Sequence, residues 1–172
     1  GGESGACGNG TRCVADLISK EKDNKTIILT TPSGNLKSEM LENNLVTTEI
    51  GVAKTKWYEI PISGELDTLN LNIKINDINN NEYHGGTAVN VGNPHVIFFM
   101  NEIENFDITK IGPHIENHKI FPEKCNVTIA KVVNKNLIKV KVWERGAGLT
   151  KACGTAACAT AFAGLINNLT NK

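Results

Sequence analysis

Apolar residues at Cys13, Val14, Leu17 and Ile18 recur at helical spacing, predicting a first helix over residues 8–22 with one buried face. The polar run Lys20-Glu21-Lys22-Asp23-Asn24 ends it. Three short runs rich in β-branched residues follow at 26–31, 36–41 and 45–50, separated by Pro32-Ser33-Gly34-Asn35 and Glu42-Asn43-Asn44. Those separators have turn chemistry, so the segment predicts antiparallel hairpins. From Gly51 to Leu69 the pattern is irregular around Trp57, Pro61 and Gly64, which places a crossover between domains there and predicts a division into residues 1–51 and 52–172.

Strand patterns resume at 69–75, 82–91 and 96–100, and a short helix is expected over 107–115 with Gly112-Pro113 near its end. Residues 125–133 and 137–144 pair naturally through Asn134-Lys135-Asn136. The closing helix, 154–169, is rich in alanine and other small residues, which suits a helix enclosed by strands. Strands outnumber helices without regular alternation, so the fold class expected is α+β with mainly antiparallel sheets.

The chemistry is concentrated in an internal echo. Gly5-Ala6-Cys7-Gly8-Asn9-Gly10-Thr11-Arg12-Cys13 and Lys151-Ala152-Cys153-Gly154-Thr155-Ala156-Ala157-Cys158 each place Ala-Cys-Gly at the start of a helical stretch. A helix start has unpaired N–H groups and roughly half a positive charge, so it favours a thiolate. The glycine after each cysteine lets a carboxylate approach those N–H groups. Inverting a carbon that bears hydrogen requires removing a proton from one face and returning one to the other. Two such helix starts in facing, pseudo-symmetric units would supply both groups and stabilise the developing charge.

Plainer readings exist for each residue. A free cysteine is often a small buried hydrophobe, and Cys13, Cys125 and Cys158 fit that role. Asn93 before Pro94 could start a turn, Glu144-Arg145 could be a solvated pair, and His95 beside an apolar run could be a core histidine. No closely spaced cysteine pair with a matching histidine pair suggests zinc. His114 and His118 have helical spacing, but Gly112-Pro113 before them reads as a turn, so no metal is expected.

Composition narrows the function classes further. Lys plus Arg and Asp plus Glu are each 18, giving a net charge of zero, so no polyanion-binding face is expected and nucleic acid is not an expected partner. Apolar runs such as 96–100 are far too short to span a bilayer. The 5 cysteines form no even-numbered disulfide framework, and a reducing cytoplasm is the expected compartment.

Four motifs together resemble the diaminopimelate epimerase family, cofactor-independent enzymes of lysine biosynthesis in bacteria and plants. They are Ala6-Cys7-Gly8-Asn9-Gly10-Thr11-Arg12-Cys13, Gly92-Asn93-Pro94-His95, Cys125-Asn126-Val127, and Glu144-Arg145-Gly146-Ala147-Gly148 leading to Ala152-Cys153-Gly154-Thr155. The resemblance implies two pseudo-symmetric domains of mainly antiparallel sheet, each curled around a central helix, with the site between them. It implies that Cys7 and Cys153 are the acid/base residues and that LL-2,6-diaminopimelate is converted to the meso isomer with no cofactor. Gly8, Asn9, Gly154 and Thr155 match positions that bind the reacting centre. Asn93, Asn126 and Arg145 match positions that recognise the distal amino acid centre. Glu144 matches an ammonium-binding position and, with His95, one that influences the thiols.

Two departures bear on activity. Ala156 stands where the family commonly has a glycine after Thr155. The chain also opens at Gly1-Gly2 and lacks the family's long segment before the first cysteine and its strands after the second cysteine helix, so it reads as part of a longer protein. Residues 1–51 are then the remainder of the first domain, and 52–172 most of the second. The rivals are a proline or hydroxyproline racemase, which has no second charged end to recognise, and a non-catalytic switch in which the two thiols oxidise reversibly. Oligomeric state is not encoded in these motifs, and a homodimer is left open. The 172-residue chain alone is expected to bind substrate poorly and turn it over weakly or not at all. Comparable epimerisation rates for this chain and for a version at full family length would refute that expectation.

Overall fold

The computed structural model describes residues 7–32 and 34–171. Ser33 of the first expected turn, and Gly5 and Ala6 of the first cysteine motif, lie outside the described residues. Contacts divide the chain into two compact units, Gly1–Val52 and Ala53–Lys172.

In the first unit, helix α1 (Gly8–Lys22) packs on an antiparallel sheet of β1 (Thr26–Thr31), β2 (Gly34–Met40) and β3 (Val46–Thr48), in that order. Lys20 and Lys22 in its last turn complement the negative end of the helix dipole. Asp23 closes the helix in the left-handed region at φ 47, with its N–H bonded to the Ser19 carbonyl. The buried stripe is Thr11 and Ala15, one turn apart, rather than the expected Cys13, Val14, Leu17 and Ile18, of which Ile18 alone is half-buried. Val14 is 45% exposed and Leu17 58%. The small side chains face the strands, and the larger apolar residues occupy the adjacent stripe.

The second unit is built on a five-stranded sheet with the order β10-β9-β8-β7-β6. Its members are β6 (Thr87–Asn90), β7 (Pro94–Phe99), β8 (Asn126–Asn134), β9 (Leu137–Glu144) and β10 (Gly148–Leu149). All neighbours are antiparallel except β7 and β8, which run parallel and are joined by a crossover containing α2 (Ile108–Glu116). A separate hairpin pairs β4 (Ile73–Asn76) with β5 (Glu82–Gly85).

Alternation along the strands sorts the two faces of the sheet. Val96, Phe98, Val127 and Ile129 join Ile108, Ile111 and Ile115 of α2 in the main core. The intervening positions His95, Ile97, Asn126 and Thr128 are also buried, on the face covered by α3 (Gly154–Ile166). Helix α3 presents Thr155, Ala156, Ala159, Thr160, Ala163 and Gly164 inward, while Ala157, Cys158 and Ala161 are exposed. Of the three cysteines expected in the core, Cys125 is fully buried, whereas Cys13 and Cys158 are exposed because each falls on the outward stripe of its helix.

Two local expectations are corrected. The continuous strand expected over 82–91 breaks at Gly86, whose φ of 107 turns the chain from the small hairpin into the main sheet. Gly112-Pro113 lies inside α2 rather than forming a turn. Proline removes one helical hydrogen bond, but burial of Ile108, Ile111, Gly112 and Ile115 outweighs that loss. Gly112 is required by contact: a Cβ there would stand 2.3 Å from Cγ of Trp143. Gly112→Ala is therefore expected to destabilise the chain by about 1–3 kcal/mol. Urea denaturation checks this, and an unchanged midpoint would contradict the packing argument.

Candidate active site

The parallel pair gathers the sequence motifs of the second unit at one end of its sheet. His95 opposite Asn126 sets the register of β7 against β8, so the starts of these two strands are adjacent. Strand β9 runs antiparallel to β8, with Val127 opposite Trp143, and so delivers its last residue, Glu144, to the same end. The chain then turns through Arg145, Gly146 and Ala147, where the Ala147 N–H donates to the Glu144 carbonyl at 3.0 Å.

From this end a chain of polar contacts leads to a thiol. Nε2–H of His95 donates to Oδ1 of Asn93 at 2.8 Å. Nδ2 of Asn93 lies 3.5 Å from Oγ1 of Thr155, which lies 3.3 Å from Sγ of Cys153. Glu144 adds a carboxylate beside the same thiol and accepts a hydrogen bond from Thr150. Asn126, almost fully buried, donates to the Pro94 carbonyl at 3.0 Å and accepts the Arg145 N–H at 3.0 Å. The Arg145 guanidinium donates to the Glu123 carbonyl at 2.8 Å and is exposed.

Cys153 is the N-cap residue of α3 and is half-buried. Its thiol is pushed above the ordinary value, first by burial and also by Glu144, while the Thr155 hydroxyl and the Ala156 N–H pull the other way. That reverses the expectation from the helix start alone, because desolvation of the thiolate outweighs the helix-end donors here. Cys153 therefore holds its proton near neutral pH. His95 is driven the same way, toward its uncharged form: burial, then the Arg145 charge, lowers its pKa to about 3. Its Nδ1 has no hydrogen-bond partner among the described residues.

In the first unit Cys7 is likewise the N-cap residue of α1, and unlike Cys153 it also makes a side-chain cap hydrogen bond. Its extended backbone, φ −145 and ψ 96, directs Sγ back to accept the Gly10 N–H at 3.4 Å. A Cβ at Gly10 would lie 3.3 Å from that sulfur, so glycine leaves the approach open. Cys7 is exposed, and the Asn9 side chain accepts from the Arg12 guanidinium. Gly8 begins the helix beside the thiol, as Gly154 does in the second unit.

The sequence profile described as diaminopimelate epimerase matches residues 87–172. The chain belongs to the diaminopimelate epimerase family. It is 69% identical over its whole length to the diaminopimelate epimerase of Pelagibacter ubique, of which it covers 63%. It is 44% identical to that of Afipia carboxidovorans, over 95% of this chain and 57% of the relative. The diaminopimelate epimerase of Rhodospirillum centenum is 37% identical over the whole chain, which covers 57% of it. The chain thus spans about three-fifths of the length of these curated relatives.

Family motifs pointed to Asn93, His95, Asn126, Glu144, Arg145, Cys153, Gly154 and Thr155, and the second unit clusters them at one sheet end. Cys7, Gly8 and Asn9 share the start of α1 in the first unit. Thr150 and the Glu123 carbonyl were not anticipated. Thr150 lies six residues after Glu144 with no pattern to mark it, and a backbone acceptor carries no residue signature.

The buried neutral histidine of this epimerase-family chain couples stability to pH. Folded, His95 stays uncharged down to about 3, whereas in the unfolded chain it protonates below about 6.5. In that window the unfolded state binds the extra proton, so this contribution is complete above about 6.5 and is lost as pH falls toward about 3. Urea titrations from neutral pH down to the carboxylate range should show a shallower decline in His95→Gln than in the parent. Equal slopes would remove His95 as the cause.

Proposed function

We propose that the whole protein epimerises diaminopimelate without a cofactor, with Cys7 and Cys153 as its acid/base pair. The observation that carries this reading is the half-buried thiol of Cys153, the N-cap residue of α3, lying beside Glu144 at the end of the Asn93–Thr155 contacts. One sulfur, as thiolate, removes the α-hydrogen as a proton and leaves the electron pair on carbon. The other, as thiol, delivers a proton to the opposite face. The two sulfurs end with exchanged protonation states, and nothing is oxidised. Burial and Glu144 favour the protonated form of Cys153, which suits it to the donor role in one direction of the reaction.

Gly8, Asn9, Gly154 and Thr155 hold the reacting centre through the two helix starts, where N–H groups stabilise charge spreading onto the α-carboxylate. Asn93, Asn126 and Arg145 receive the distal centre, and the guanidinium fork suits its carboxylate. Glu144 receives an ammonium group and, with His95, sets the electrostatics of the Cys153 thiol. Asn126 keeps one amide N–H beyond its bond to Pro94 for this role. No helix among the described residues is long and apolar enough to cross a membrane. The proposed substrate supports a place in lysine synthesis, for which the cytoplasm is the proposed compartment.

In the protein at the relatives' full length, Cys7→Ser and Cys153→Ser should each lower kcat by about 100- to 10,000-fold. Deuterium incorporation at the α-carbon of diaminopimelate in heavy water measures it. Full activity in Cys153→Ser would defeat the two-thiol mechanism. Exchange into proline but not into diaminopimelate would reassign the substrate.

A further inference from the structure

The Glu144-Arg145 corner is held from behind by a carboxylate outside the motifs that carry the proposed chemistry. Glu116, the last residue of α2, is 6% exposed. Its Oε2 accepts the indole N–H of Trp143 at 2.7 Å, and its Oε1 accepts the backbone N–H of Gly146 at 3.0 Å. These donors flank Glu144 and Arg145 directly in sequence. The Lys124 ammonium, 3.9 Å from Oε1, adds a nearby opposite charge.

We propose that Glu116 is a positioning residue that fixes the Glu144-Arg145 corner for catalysis. A carboxylate is an acceptor on both oxygens, so one side chain grips the end of β9 and the turn beyond it at once. Charge-assisted hydrogen bonds are stronger than neutral ones, and burial removes the water that would compete. The Trp143 ring is seated against Gly112, one helical turn before Glu116, so the indole cannot swing away without unpacking α2. On the far side of the corner Asn126 accepts the Arg145 N–H. The dipeptide is thereby held on its backbone and at both flanks, so that the Glu144 and Arg145 side chains, each with acceptor or donor capacity beyond its bond to Thr150 or to the Glu123 carbonyl, are placed to act on substrate.

This inference rests on the epimerase reading, and the experiment separates the two. With the protein at the relatives' full length, the parent is first assayed on diaminopimelate. Absence of epimerisation would sink that reading and this inference with it. In an active background, Glu116→Ala should lower kcat/KM by about 100-fold, the effect of displacing aligned groups by about 1 Å. KM should rise because Arg145 shifts. The alkaline limb of the pH–rate profile should move to lower pH because Glu144 no longer raises the Cys153 thiol. A merely structural defect would reduce the active fraction and scale kcat, leaving KM and the limb in place. That result, or parent-like kinetics, would overturn the proposal.

Glu116→Gln keeps one acceptor oxygen and should recover part of both shifts. If Glu116→Ala does not fold, Glu116→Gln and Trp143→Phe, which removes only the indole donor, carry the same readouts. Both are expected to shift KM and the limb in the same direction by a smaller amount. Parent-like values in these two would reject the assignment.

Discussion

Parallel strands cannot be joined by a tight turn, so β7 and β8 need a connection that crosses one face of the sheet, and the segment containing α2 provides it. Most of the second unit's organisation follows from that pairing. It sets His95 beside Asn126 at the strand starts and buries Ile108, Ile111 and Ile115 against the sheet. It also brings Glu116 behind the turn that follows β9. Had β8 run antiparallel to β7, Asn126 would stand at the opposite end of the sheet from Asn93, and the polar cluster would be divided.

The two faces of the sheet have different work. The α2 face is aliphatic and aromatic and supplies the main core, with Val96, Phe98, Val127 and Ile129 interleaved with the helix. The α3 face carries buried polar residues among its apolar ones, including His95, Asn126 and Thr128. Small inward side chains on α3 let the helix lie close over them, which desolvates His95 and raises the thiol of Cys153. The same close packing that stabilises the unit therefore shapes the electrostatics of its polar end.

Much of this was legible in the sequence, for identifiable reasons. Strands β1 and β9 fall where expected, at 26–31 and 137–144, because turn residues bound them on both sides. The cysteine helices were marked by their glycines and small residues. Other features depend on partners distant in sequence. The inward stripe of α1 is Thr11 and Ala15, because a close-lying sheet selects small side chains over the larger apolar ones. Pro113 suggested a turn until the burial of its neighbours was set against one lost hydrogen bond. The direction of the Cys153 shift follows first from burial, which comes from packing that no local motif shows, and then from Glu144. Glu116 carries no motif of its own, and its meaning lies in Trp143 and Gly146.

The seat of Trp143 also gives the protein an optical handle. The chain has two tryptophans, Trp57 and Trp143, and both pack against the main core. Only Trp143 bonds its indole to a buried carboxylate next to the polar cluster. With Trp57 replaced by phenylalanine, indole emission comes from a single ring whose surroundings are the corner itself. Fluorescence then reports local rearrangement there separately from global unfolding, with no label attached.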